Sequence, residues 1–169
     1  MPDLPKFLQP AMNLDGEWDS EVLPYLYGVF ERDFKLCSTC FNGIIVLYDL
    51  TMKDSDKEEG FWHLITKDQF IDVRKKVKER LPDYKRAKRL HWIKPIIENN
   101  SHSEILVWNY EEAKGKIHTY LWLKNHDFVV IIKKRREKIG EFYILVTAYY
   151  VEYDHTRRKL EDKYRNRLR

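Results

Sequence analysis

EILVWNYEEAKGKIHTYLWLKNHDFVVIIKKRREKIGEFYILVTAYYVEY, residues 104–153, is the most strongly patterned part of the chain. Four runs, 104–111, 116–125, 128–136 and 142–153, are rich in β-branched and aromatic residues. Such residues fit the pleated, half-buried surface of a sheet. The connectors, EAKGK, HD and EKIGE, are short and polar. Parallel neighbours need a crossover of a dozen residues or more, so these runs are expected to be a four-stranded antiparallel β-meander.

Side chains on a strand alternate between faces. In 116–124, Ile117, Thr119, Leu121 and Leu123 form the core-like set, while His118, Tyr120, Trp122 and Lys124 form a polar and aromatic row. That row has the composition of a nucleic-acid-facing surface, where rings stack on bases and cations meet phosphate. In the last run, simple alternation groups Thr147 and Tyr149 with Tyr143 and Leu145, and sets Ala148 on the face that packs beneath a helix. Lys133 or Lys134 is expected to join the polar row.

Upstream, "RAKRLHWIKPIIEN" (86–99) places Arg86, Lys88 and Arg89 directly against His91 and Trp92. Residues 83–94 read as extended or irregular, and Pro95 begins a short helical turn closed by Asn99 and Asn100. Before it, "TKDQF" resembles a capping box, with Thr66 three residues ahead of Gln69. Phe70, Val73, Val77 and Leu81 then recur at helical spacing, so a helix is expected over 68–80, with Arg74, Lys75 and Lys78 on its outer face. "NGIIVLYDL" and "FWHLIT" read as two strands of a hairpin, 43–66, across the acidic loop 51–60. A first helix is expected near 20–35, burying Val22, Leu26, Val29 and Phe30, with a possible break at Pro24. "HTRRKLEDKYRNRLR" reads as a basic terminal helix. The fold class is therefore α+β: an N-terminal helix and hairpin, a basic helix, the meander and a C-terminal basic helix.

The chain has 169 residues and suits a single domain, with an acidic front segment 1–59, a core 60–153 and a basic end 154–169. Its net charge of +4 hides a segregation. Residues 1–59 carry 5 Lys/Arg against 12 Asp/Glu, residues 60–94 carry 11 against 4, and residues 154–169 carry 7 against 3. Segregated positive charge interleaved with aromatics suits a polyanion, RNA in particular. The acidic front is a candidate shield for the basic groove or a protein-contact surface. No apolar run reaches about 18 residues and the first residues lack a leader pattern, so the expectation is a cytoplasmic protein with no membrane partner. Cys37 and Cys40 make one C-x-x-C without a second pair and read as ordinary reduced thiols. No metal-ligand motif, paired acids at helical spacing or phosphate-binding loop is visible, so no metal or cofactor is expected.

Cutting a phosphodiester without a metal needs a base for the 2′-hydroxyl, an acid for the leaving oxygen, and cations for the charge that develops. His63, Arg89, Thr147, Tyr149 and His91 are the candidates for these roles. Arg74, Lys75, Lys78, Arg86, Lys88, Trp92, His118 and Lys133 are candidates for holding RNA. Each also has a structural reading, as a core histidine, a packed ring or a solvated charge.

Three segments, "GFWHLIT", "RAKRLHWIKPIIEN" and "FYILVTAYYVE", give the region 60–153 a resemblance to the phage and toxin nucleases of the barnase–EndoU–colicin–RelE superfamily. That resemblance implies a helical front followed by an antiparallel meander, and metal-independent cleavage of RNA to a 2′,3′-cyclic phosphate. It implies a histidine from the front half (His63), an arginine from the basic stretch (Arg86 or Arg89) and a hydroxyl on the final strand (Thr147 or Tyr149). A cognate inhibitor protein is the further partner it suggests. The same fold also hosts inactive members, so a non-catalytic module that binds RNA or protein is the alternative.

Overall fold

The computed structural model describes residues 2–53 and 56–169; Met1, and Asp54 and Ser55 of the acidic loop, lie outside the described residues. Its centre is a mixed six-stranded sheet in the order β1-β2-β8-β7-β6-β5. The strands are β1 (Cys40–Phe41), β2 (Ile44–Leu47), β5 (Ile105–Ala113), β6 (Lys116–Leu123), β7 (Phe128–Glu137) and β8 (Gly140–Tyr150). From β5 to β8, neighbours in sequence pair antiparallel. The sheet is larger than sequence patterning suggests, because β2 adds in parallel, Val46 opposite Tyr143. Asn42 and Gly43, both at positive φ, form the two-residue turn between β1 and β2. Asn-Gly favours such turns because both residues tolerate that backbone region.

Alternation along β8 is interrupted once. Ile131 pairs with Thr147 but Ile132 pairs with Leu145, leaving Val146 as a bulge. Tyr143, Leu145, Ala148 and Tyr150 therefore all meet the main core, while Val146 and Tyr149 meet the opposite face. Thr147 pairs with Ile131, so it stands on that opposite face too. The regular alternation expected for 142–153 fails at this one extra residue.

Each sheet face carries a core. On one side lies a helix of three stretches, Trp18–Val22, α1 (Leu23–Phe30) and Glu31–Leu36. It buries Val22, Leu26, Val29 and Phe30 as its spacing predicts. Pro24 causes no break; it stands where the π-helical stretch Trp18–Val22 passes into α1. On the other side α5 (Asp154–Arg165) covers Trp108, Tyr120, Trp122, Val129 and Ile131. Trp108 stacks on Tyr120 with centroids 4.9 Å apart. The row 118, 120, 122 is thus one face of β6 as expected, but Tyr120 and Trp122 are 2% and 0% exposed. Burying such rings stabilises the fold by roughly 2–3 kcal/mol each.

Between the two halves, the sequence reading is corrected at several points. "FWHLIT" belongs to a helix, α2 (Glu59–Ile65), so 43–66 is not a hairpin. Gly60 allows this helix to sit against the end of β2: its N–H donates to Asp49 O, and a Cβ there would lie 3.0 Å from Asp49 backbone atoms. Residues 66–82 are not a helix but a two-stranded ribbon, β3 (Thr66–Asp72) and β4 (Val77–Pro82). Phe70, Val73 and Val77 are 49%, 76% and 41% exposed, so no helical apolar stripe is buried. Thr66 does not cap; its hydroxyl donates to Trp62 O and closes α2. Residues 83–94 are not extended: α3 (Tyr84–Ala87), a 3-10 turn (Leu90–Trp92) and α4 (Ile93–Glu98) follow in succession.

Candidate functional site

His63 occupies the last turn of α2. Leu64 and Ile65 beside it are buried, which fixes the helix and turns the imidazole outward. Asp83 starts α3 by accepting the Arg86 N–H at 3.1 Å. From that position the Arg86 side chain reaches back, and its Nη1 donates to the carbonyls of His63 (2.7 Å) and Thr66 (3.1 Å). Arg86 Nε is buried without a hydrogen-bond partner. Asp83 Oδ2 lies 3.7 Å from it. Arg80 enters from β4 and makes a two-pronged ion pair with Glu59, at 2.7 and 3.3 Å. Together His63, Thr66, Lys67, Asp68, Arg80 and Arg86 line one open cleft of about 170 Å³.

The cleft biases its imidazole toward the neutral form. Desolvation pushes the His63 pKa below its ordinary value, and the charges of Arg86 and Arg80 push it further; Asp68 and Glu59 oppose them. A neutral imidazole among cations can accept a proton, while the cations attract the anion that would deliver it.

α2 and α3 both contact β8, their buried residues Phe61, Leu64, Ile65 and Ala87 joining the main core, while Tyr149 of β8 faces the other way. The Arg86 charge acts on the Tyr149 phenol; burial raises that phenol's pKa, Arg86 lowers it and Glu112 raises it. Further along the same face is a polar cluster. Lys163 Nζ donates to Glu112 and to Tyr120 Oη, each at 2.8 Å, and the Tyr120 hydroxyl donates to Glu112. His118 Nδ1 is 3.9 Å from Glu112 Oε1. Burial raises the Tyr120 pKa strongly and lowers that of His118.

His63 and Arg86 are thus brought together in one cleft; Tyr149 does not line it but feels the Arg86 charge, and Thr147 shares the sheet face of Tyr149. Other predicted residues fall elsewhere. Arg89 lies on the opposite side, over the Tyr150 ring at 4.3 Å and donating to Lys85 O. Trp92 is 3% exposed, its indole N–H donating to Gln9 O, so it is core rather than a stacking surface. His91 Nε2 is 2.9 Å from Pro10 O in a cleft with Tyr25 and Arg32. His118 is 9% exposed, enclosed in the polar cluster. The carbonyl of half-buried Lys88 accepts the Met12 N–H. Lys133 lines a separate cleft with Asn109, Lys134 and Arg136. Arg74 and Lys75 stand at the tip of the β3–β4 ribbon, with Lys78 on its second strand. Sequence reading missed Lys67 and Arg80; the signal was their place on either side of a polar turn, hidden by the helical spacing of the apolar residues.

Among the described residues no group of three His, Cys, Asp or Glu side chains is arranged to hold a metal ion. Cys37 and Cys40 are free thiols. Among the same residues no helix is long and apolar enough to cross a membrane. Comparison with protein-family models, with curated proteins and with solved structures finds no match.

Proposed function

We propose that this protein is a metal-independent endoribonuclease of the barnase–EndoU–colicin–RelE type, acting in a phage, toxin or defence setting. The observation that carries this reading is the cleft itself: a neutral-leaning imidazole, His63, lined by Arg80, Arg86 and Lys67. His63 takes the proton of an RNA 2′-hydroxyl. The freed O2′ bonds to the adjacent phosphorus and the P–O5′ bond breaks, giving a 2′,3′-cyclic phosphate and a 5′-hydroxyl. Tyr149, held protonated by burial, gives its proton to the leaving O5′, and the nearby Arg86 charge stabilises the phenolate until His63 returns a proton. Arg80, Arg86 and Lys67 offset the charge that builds on the phosphoryl oxygens. A cognate inhibitor would close this cleft with carboxylates.

The test is cleavage of total cellular RNA and tRNA in EDTA by wild type and His63→Ala. Cutting that survives chelation, leaves cyclic phosphate ends and disappears in the variant is the expected result. RNA retained on a filter but never cut would replace the nuclease by a non-catalytic binding module.

A further inference from the structure

Among the described residues the β3–β4 ribbon pairs with no other strand. An isolated two-stranded hairpin is marginal in water. This one is tied down at its base, where Asp83 N donates to Ile65 O and Arg86 bonds Thr66 O. The rest projects, and it carries six Lys/Arg against three Asp/Glu over 66–82.

Lys67, on one face of the ribbon, lines the His63 cleft, but the other face alone carries the aromatic ring. Asp68 pairs with Arg80 and Phe70 with Lys78, so these four residues and Thr66 share one face. Thr66, Asp68 and Arg80 also line the His63 cleft. The face therefore starts in the cleft and ends at Phe70, whose ring is 49% exposed with Lys78 Nζ 4.9 Å from its centroid. Lys78 and Arg80 are two residues apart on one strand, ~6.8 Å, a step that successive phosphates of an extended strand can follow. An aromatic ring with cations beside it is the elementary unit of single-strand recognition, because every base has a face to stack and a phosphate to neutralise. A base in a duplex is already stacked and cannot use it.

We propose that this ribbon is an arm that grips single-stranded RNA entering the His63 cleft, with Phe70 as the stacking platform for one base and Lys78 and Arg80 meeting its flanking phosphates. The assignment of the occupant rests on reading the cleft as a ribonuclease site. A base arriving on Phe70 displaces the Lys78 ammonium from the ring toward the adjoining phosphate.

The test measures binding of a fluorescent 2′-O-methyl RNA decamer, which cannot be cleaved, by anisotropy over a salt series. The full chain is compared with Phe70→Ala, Phe70→Trp and Lys78→Gln. Phe70→Ala is expected to weaken binding roughly tenfold, and Phe70→Trp to retain it. Lys78→Gln should flatten the salt dependence by about 0.7 in log–log slope. Wild-type affinity in both Phe70→Ala and Lys78→Gln would overturn the arm. So would a ribbon that binds anionic vesicles or an acidic peptide while all variants hold RNA equally. Wild-type cleavage is scored separately: cutting with unchanged variant binding leaves the nuclease and removes the arm, whereas ribbon-dependent binding without cutting leaves the arm and removes the nuclease.

Discussion

The Arg86 guanidinium grips the backbone of His63, with Nη1 donating to its carbonyl at 2.7 Å. A helix ends with carbonyls that have no partner in the helix. Arg86 satisfies one such oxygen, that of His63, together with the Thr66 carbonyl just beyond the helix, and in doing so sets its charge beside the imidazole. One side chain thus both ties the backbone of His63 and adds to the desolvation and the Arg80 charge that lower its pKa.

A lysine keeps the charge but not the planar fork. Arg86→Lys is therefore expected to lose about 1–3 kcal/mol of stability, read as a lower urea midpoint, while the His63 pKa stays below its ordinary value. Arg86→Met should lose stability too and also let that pKa rise. An NMR titration of the His63 ring in both variants separates the two effects; equal pKa values would mean that the Arg86 charge adds nothing to the lowering by desolvation.

Arg80 tests the same field without touching the backbone. It lowers the His63 pKa, and Glu59, which it neutralises, raises it. Arg80→Gln removes the first and exposes the second, so the pKa moves up. If His63 acts as a base, the acid limb of kcat/KM against pH shifts upward with it. An unmoved acid limb in Arg80→Gln would take the base role from His63.

The sheet was legible because β5 to β8 are long runs whose short connectors leave one topology, and α1 because its apolar positions recur at helical spacing. Asn42-Gly43 was an available hairpin signal, concealed by reading Gly43 onward as a strand paired with 61–66. The ribbon was illegible for a physical reason. Phe70, Val73, Val77 and Leu81 satisfy helical spacing, but nothing in the fold offers that stripe a surface to bury. The local turn wins instead: Asp72 Oδ1 accepts the Lys75 N–H and Lys76 adopts a left-handed backbone. At the site, His63 and Arg86 were readable as residue types. Their separation from Arg89 was not, since it depends on which side of β8 each guanidinium reaches. The polar row of β6 was placed on the right face, but the sequence did not show that α5 would cover it.

Trp92 and Phe70 make opposite predictions although both are aromatics beside cations. Trp92 is enclosed, contacts Phe128 edge-on at 5.7 Å and bonds Gln9 O. Trp92→Ala is expected to cost about 3–5 kcal/mol in urea unfolding. Near-wild-type stability together with lost RNA affinity would return Trp92 to the binding surface.

Acid should weaken the fold before its carboxylates titrate. Burial depresses the pKa of His63, His91 and His118 relative to the unfolded chain, where histidine titrates near ~6.5. Between the folded and unfolded pKa values the unfolded chain binds more protons, so stability rises with pH there. The contribution is complete above about pH 6.5 and is lost as pH falls toward the folded values. Glu58, Glu59 and Glu112 are also depressed, but their loss comes lower, below the ordinary carboxylate range. The urea midpoint should therefore fall between pH 7.5 and 5.5, about where histidines alone titrate. His118→Gln removes one of the three groups and should make that fall shallower. A midpoint that stays level to pH 5 and drops only with the carboxylates would mean that all three imidazoles accept protons in place, and that the enclosure of His118 beneath α5 is looser than its 9% exposure implies.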